Sequence, residues 1–258
     1  MADPTVAQQI FETWGVQFAP VPTSRKEEAD WLVEMDGFTY LIEEKTKFPN
    51  PEDLHARSKS LDETNQFTSI TPVSRSNTIS GIVGKAKKQL KSTGESKRHQ
   101  FRLVWFTAIG WDAETKHMQF IATLYGTSKV FEIEGKTLRE CYFFYNSDFF
   151  RYRYELDGAI AAFHAGRGSI SIFLCLNPYS PNYEMLKKSP IVARLPKGLT
   201  DPRTEEQTGQ AYIADTEIDR KDSQAILRYL ESKYKTGKLA NMDLKMASSE
   251  FRLPPPDA

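Results

Sequence analysis

Asp36-Gly37 separates two short apolar-rich runs, 30–35 and 38–45, and constrains the fold more tightly than any other dipeptide in the chain. Two-residue turns of this composition close antiparallel pairs, because both turn positions favour φ > 0. Pairing Met35 with Phe38 then sets Val33 opposite Tyr40, Trp31 opposite Ile42 and Ala29 opposite Glu44. On the other face Glu34 meets Thr39, Leu32 meets Leu41, Asp30 meets Glu43 and Glu28 meets Lys45. The first face is apolar apart from Glu44 and belongs on a core. The second sets two carboxylates across from each other, with Lys45 one step along.

Side chains directly opposite in a sheet stand about 5 Å apart at Cβ, and like charges there destabilise the pair. With partial dielectric screening, two unit charges at that separation repel by roughly 3 kcal/mol. Lys45 offsets part of this, and Lys26 and Lys47 near the hairpin ends are further candidates. A divalent cation would offset it more fully, since magnesium takes oxygen ligands and often only one or two carboxylates. The residues alone leave two readings open. One is a metal site with a cationic helper; the other is the solvated polar face that antiparallel sheets commonly carry.

Asp30 and Glu43-x-Lys45, set across a hairpin, resemble the catalytic signature of the PD-(D/E)XK nuclease superfamily, the restriction-endonuclease-like fold. The resemblance implies a mixed α/β (α+β) fold. Its core runs helix, strand, strand, strand, helix, strand, with a mixed sheet flanked by helices. The first 110 residues can be read in that order. Asp3-Pro4 is a helix start, with Val6, Ile10 and Trp14 on one face of 4–14 and Gly15 as the stop. Residues 16–21 make a first strand and the hairpin supplies two more. Ile79, Ile82, Val83, Ala86 and Leu90 recur at helical spacing over 77–93, and 101–109 is a nearly continuous apolar strand. The acid-x-Lys element alone carries no weight, since it recurs at Glu95, Glu114, Glu134, Asp219, Glu231 and Asp243. Two positions depart from the family pattern: Ala29 stands where a proline precedes the aspartate, and Glu44 where an apolar residue is usual.

Carried over residue by residue, the resemblance implies that Asp30 and Glu43 hold Mg²⁺ or Mn²⁺ beside a scissile phosphate, with Glu44 contributing its backbone carbonyl. Lys45 would position or deprotonate the attacking water and offset transition-state charge. Glu12 on the first helix and Gln89 on the second are the further catalytic candidates. A nucleic-acid substrate, DNA rather than RNA by family habit, is implied as the partner, with a second copy or another subunit compatible with the family.

At 258 residues, with 34 basic and 34 acidic side chains, the chain has no bulk positive charge, so any nucleic-acid contact must use a local patch. Lys85, Lys88 and Lys91 on the second helix are one candidate patch, and Lys85 also sits one turn from Gln89. Arg57 and Arg75, in the polar stretch 48–76, are another. That stretch reads as a long inserted loop, a lid or clamp beside the hairpin. A solvated lysine-rich face and a plain surface insertion remain the alternatives. Cys141 and Cys175 show no metal-ligand spacing, and no signal peptide or apolar run of membrane-spanning length is legible, which together predict a reducing, cytoplasmic setting. The four histidines are scattered, and neither a phosphate-binding glycine loop nor a Gly-x-Ser-x-Gly elbow occurs; Gly166-Arg-Gly168 is too short a signal.

Three segments are expected: a nuclease-like core over 1–110, an α+β extension over 111–236, and an extended or disordered tail over 237–258. Within the extension, 117–125 and 129–134 read as strands, 169–176 as a buried strand, 196–209 as a polar linker, and 182–189 and 221–235 as helices. The aromatic cluster 141–154 reads mainly as core, with Arg151 and Arg153 interleaved so that stacking on unpaired bases is the alternative. The competing function class is a catalytically inactive protein that keeps the fold for binding or assembly.

Overall fold

The computed structural model describes residues 3–22, 28–164, 169–242 and 246–252. Helix α1 (Val6–Trp14) starts at Thr5 rather than at Asp3-Pro4. The Thr5 hydroxyl accepts from the Gln8 N–H while the Gln8 side chain accepts from the Thr5 N–H, a reciprocal cap that satisfies two otherwise free donors. Strands β1 (Gln17–Pro20), β2 (Trp31–Met35) and β3 (Phe38–Lys47) follow. Asp36 (φ 48°) and Gly37 (φ 81°) form the turn, and the β2–β3 register runs from Met35–Phe38 to Trp31–Ile42 as the turn requires.

The stretch expected as a loop is instead helix α2 (Pro51–Thr64) and strand β4 (Gln66–Pro72). Its breakers mark boundaries: Asn50 caps the helix, Pro51 opens it, and Pro72 ends the strand. Next come α3 (Asn77–Gly94), β5 (Phe101–Ala108), α4 (Ala113–Tyr125), β6 (Ser128–Glu132) and β7 (Thr137–Tyr142). Then follow α5 (Asp148–Arg151), β8 (Gly158–His164), β9 (Ile170–Leu176), α6 (Tyr183–Lys187), α7 (Pro190–Arg194), β10 (Leu199–Thr200) and α8 (Pro202–Gln207). Strand β11 (Ala211–Ile213), helix α9 (Ser223–Tyr234) and strands β12 (Leu239–Asn241) and β13 (Met246–Arg252) complete the order. Residues 117–125 are therefore helical, 196–209 carries β10 and α8, and the region expected as a tail holds two strands. The tripeptide at 166–168 lies outside the described residues.

Among the described residues, seven strands form one mixed sheet in the order β1-β2-β3-β5-β8-β9-β10. β1, β2 and β3 are an antiparallel meander, β5 and β8 run parallel to β3, β9 reverses, and β10 runs parallel to β9. The sheet crosses the boundary expected near residue 110, since β8, β9 and β10 extend it. Alternate residues feed two cores. Tyr40, Ile42, Leu103 and Trp105 pack with Phe11 of α1 and with Tyr183, Leu186 and Ile191. Leu41, Val104 and Phe106 pack on the other side, with Ile79, Val83, Ala86 and Leu90 of α3 and Phe120 and Leu124 of α4. The result is three layers, helix, sheet and helix. A smaller sheet, β11-β7-β6-β12, packs on α9 through Val130, Tyr212, Ile226 and Leu230, and β4 pairs with β13.

Gly126 joins the layers. It ends α4 in the left-handed region (φ 60°), and a Cβ there would come within 2.2 Å of the Tyr145 carbonyl oxygen. Gly126→Ala is expected to lower unfolding stability by at least about 2 kcal/mol, read as a drop in the urea midpoint. An unchanged midpoint would show that the 143–147 segment is free to move aside.

Candidate active site

The carboxylates of the hairpin meet, but not as a ladder pair. The β2–β3 ladder stops at Trp31–Ile42, and Asp30 lies in a bend just before it. Ala29 has left the Trp31 face and joins the core beneath α3. Its N–H donates to the Thr93 hydroxyl at 2.7 Å, the Gln89 amide donates to the Glu28 carbonyl at 3.1 Å, and the Val21 N–H donates to the Asp30 carbonyl at 3.0 Å. Helix α3 thus clamps the backbone on the N-terminal side of Asp30. The Asp30 Oδ2 in turn accepts from the Glu44 N–H at 2.8 Å, which turns the carboxyl toward β3.

Glu43 shares the Leu41 side of the strand, where α3 excludes water, and its side chain is 0% exposed. Of the two readings, the solvated face does not hold at Glu43, although Glu34 on the same side is exposed. Lys45 Nζ donates to Glu43 Oε1, while Oε2 is buried and receives no N–H or O–H from another described residue. Burial lifts the Glu43 carboxyl to about 8; Lys45 holds it down, and the charge and hydrogen bond of Asp30 push it up. A metal-free Glu43 at neutral pH is held largely as the neutral acid. A buried carboxylate oxygen that no other donor reaches, beside a second carboxylate, is satisfied by a proton shared between the two in the metal-free state or by a bound cation in its place. No group of three or more His, Cys, Asp or Glu side chains gathers as a metal cluster among the described residues. Any ion here would rest on two carboxylates, which suits magnesium better than zinc.

Glu44 has a different task. Its side chain points to the opposite layer and accepts from the Thr5 hydroxyl (2.8 Å), the Ala7 N–H (3.3 Å) and the Trp31 indole N–H (3.0 Å). It fastens the N-terminus of α1 to the sheet, where the helix dipole favours a negative charge. The charged middle residue of Glu-x-Lys is thereby explained, and its carboxylate is not available to the Asp30–Glu43 pair. Glu12 is exposed on α1, which packs on that same opposite layer, so the structure does not bring it to the pair. Gln89 does reach the site's edge, through Glu28.

The basic candidates divide. Lys85, Lys88 and Lys91 are exposed along α3. Arg75 is tied to Asn77, Ser80 and the buried Asp148. Arg57 lies over the Phe251 ring at 4.6 Å, packed on β13 rather than presented beside the hairpin. Lys26 lies outside the described residues.

Thr93 is the positioning residue that sequence reasoning missed, because its role is set by a contact 64 positions away in sequence. Thr93→Val keeps the shape but leaves the Ala29 N–H buried and unpaired. It is expected to cost about 1–3 kcal/mol of stability and to weaken Mn²⁺ binding, which titration calorimetry would report. Unchanged affinity would separate the clamp from the site.

Among the described residues no helix is long and apolar enough to cross a membrane. Comparison with protein-family models, with curated proteins and with solved structures finds no match to this chain.

Proposed function

We propose that this protein is a metal-dependent nuclease of the PD-(D/E)XK type that hydrolyses phosphodiester bonds, in DNA by preference. The observation that carries the reading is the buried Glu43 carboxyl, with one oxygen on Lys45, the other reached by no donor from another described residue, and the Asp30 carboxyl alongside. The order α1, β1, β2, β3, α3, β5, interrupted only by α2 and β4, supports the restriction-endonuclease-like core.

Asp30 and Glu43 would hold Mg²⁺ or Mn²⁺. When bound, the ion would polarise the phosphoryl oxygen and acidify a coordinated water. Asp30 is oriented by the Glu44 N–H and Glu43 by burial, so both carboxyls are fixed before substrate arrives. Lys45, about a quarter exposed, reaches from the buried pair toward solvent. There its ammonium would orient the attacking water and meet the charge that builds on phosphate as the water oxygen bonds to phosphorus and the leaving oxygen departs.

The test is cleavage of plasmid and single-stranded DNA with Mg²⁺ or Mn²⁺, beside an EDTA control and Asp30→Ala. Metal-dependent cutting that the variant loses while staying folded is the expected result. Cutting equal in wild type and variant would place the chemistry elsewhere or in a contaminant. Binding of DNA without cutting under any metal would favour the inactive nuclease-fold reading.

A further inference from the structure

A cavity of about 580 Å³ opens beside α5, within the range of small-molecule sites. It is lined by Phe143 and residues 145–148, by Phe150, Arg151 and Arg153, by Arg75, and by the 216–220 loop. Two of its polar groups are unfinished. Asp148 is 1% exposed; its Oδ1 accepts from the Ser80 hydroxyl (3.0 Å) and Arg75 (3.3 Å), but its buried Oδ2 has no partner among the described residues. Arg220 donates through Nη2 to the Ala214 and Thr216 carbonyls, while its buried Nη1 is likewise unpartnered. Two residues of one cavity lining thus hold a buried acceptor and a buried donor without partners among the described residues. A ligand reaching them would satisfy both with an N–H and an oxygen, and an exocyclic amino group suits a carboxylate oxygen better than the N–H of thymine, which two carbonyl oxygens flank.

The remaining lining narrows the class. Phe150 offers a ring with Arg153 stacked at 4.8 Å, the kind of platform on which bases stack. Arg75, Arg151, Arg153 and Arg220 supply positive charge, but Glu217 and Asp219 stand among them, which disfavours a bare inorganic anion. A second cavity of about 490 Å³ shares Arg75 and Arg151 and continues along α3 past Lys85, Lys87 and Lys88, with no carboxylate in its lining. It forms a phosphate-compatible track leading away from the first cavity.

We propose that the cavity beside α5 receives one unstacked nucleotide of a bound strand, its base bearing an amino group that donates to Asp148 and its phosphate lying on the rim arginines. The polymer follows from the nuclease reading; the choice of base follows from the cavity. Ser80 touches Asp148 and Gln89 touches the segment before Asp30, and these two α3 residues lie about 14 Å apart at 1.5 Å rise per residue.

The test is fluorescence anisotropy in EDTA, so that no cutting is read. The probes are a short labelled thymidine oligomer and the same oligomer carrying one cytosine, adenine or guanine. Wild type is expected to bind an amino-bearing oligomer about ten-fold or more tightly than the all-thymidine one. Asp148→Asn, with its melting temperature checked, should lose that preference, and Arg153→Ala should weaken every oligomer several-fold. Equal affinity for all oligomers, binding of none, or a preference that survives Asp148→Asn would overturn the proposal. Base-selective binding without metal-dependent cutting would leave this site standing and remove the nuclease reading. Cutting lost in Asp30→Ala, without base preference, would do the reverse.

Discussion

Glu43→Gln is expected to remove the fall in stability that Glu43 gives the metal-free protein between about pH 4.5 and 8, while the opposite contribution of buried His117, whose imidazole burial lowers to about 4, remains. The unfolded carboxyl titrates near its ordinary 4.5, the folded one near 8. Between those values the folded chain keeps the Glu43 proton that the unfolded chain has released, so the Glu43 contribution to stability is highest at the acid end and falls as pH rises. For a side chain shut off from water the fall is of the order of a few kcal/mol. Glutamine keeps the shape and the Lys45 contact but never ionises, so above about pH 6.5, where His117 is neutral folded or unfolded, its unfolding midpoint should vary little and exceed that of wild type at pH 9. Mg²⁺ or Mn²⁺ should restore wild type at pH 9 and leave the variant unmoved. Urea unfolding at pH 5, 7 and 9, with and without metal, reads all of this. Equal slopes for wild type and variant would mean that Glu43 is ionised throughout.

Lys45→Met is expected to lower metal-dependent cleavage by about 10²–10⁴-fold, the range for removing one charge-stabilising or proton-handling group. A second effect distinguishes it from a misfolded protein. Lys45 is the group that holds the Glu43 carboxyl down, so without it Glu43 keeps its proton to higher pH. Mn²⁺ affinity at pH 7 should fall and recover toward pH 9, while cleavage stays low at both. Cleavage that recovers with affinity would make Lys45 an electrostatic support for Glu43 and leave no role in handling water.

The hairpin could be read from sequence because its register depends on two turn residues. Asp36 and Gly37 both take positive φ, and every pairing to Trp31–Ile42 follows from them. Beyond that ladder the reading fails, since a tertiary contact from Thr93 draws Ala29 to the other layer. Helix α4 was hidden for a related reason. Ala113, His117, Phe120, Ala122, Leu124 and Tyr125 are all buried, so the helix lacks the one-sided stripe by which a helix is recognised. Helix α2 errs the opposite way, burying only Leu61, so that its polar sequence resembles a loop. Its cap at Asn50-Pro51 was the available signal. In the aromatic cluster the division runs within a few residues: Tyr142, Phe143, Phe144 and Phe149 are core, while Phe150, Arg151 and Arg153 face the cavity. Asp148 and Arg220 could not be foreseen, because their unpaired atoms exist only once the 216–220 loop closes over α5.

The pairing of β4 with β13 joins Thr71 to Ala247, across most of the chain. A ribosome adding roughly 5–20 residues per second would expose β4 for about 10–35 s before its mate emerges. Until then the α2–β4 insertion presents a strand with unpaired N–H and C=O groups, a template for joining other chains. The strand's exposed side chains are Gln66, Thr68, Ile70 and Pro72, so the apolar Ile70 stands outward on an unpaired strand, with Pro72 closing one end. Nascent chains stalled before residue 246 should therefore be the species most prone to self-association and most in need of a chaperone.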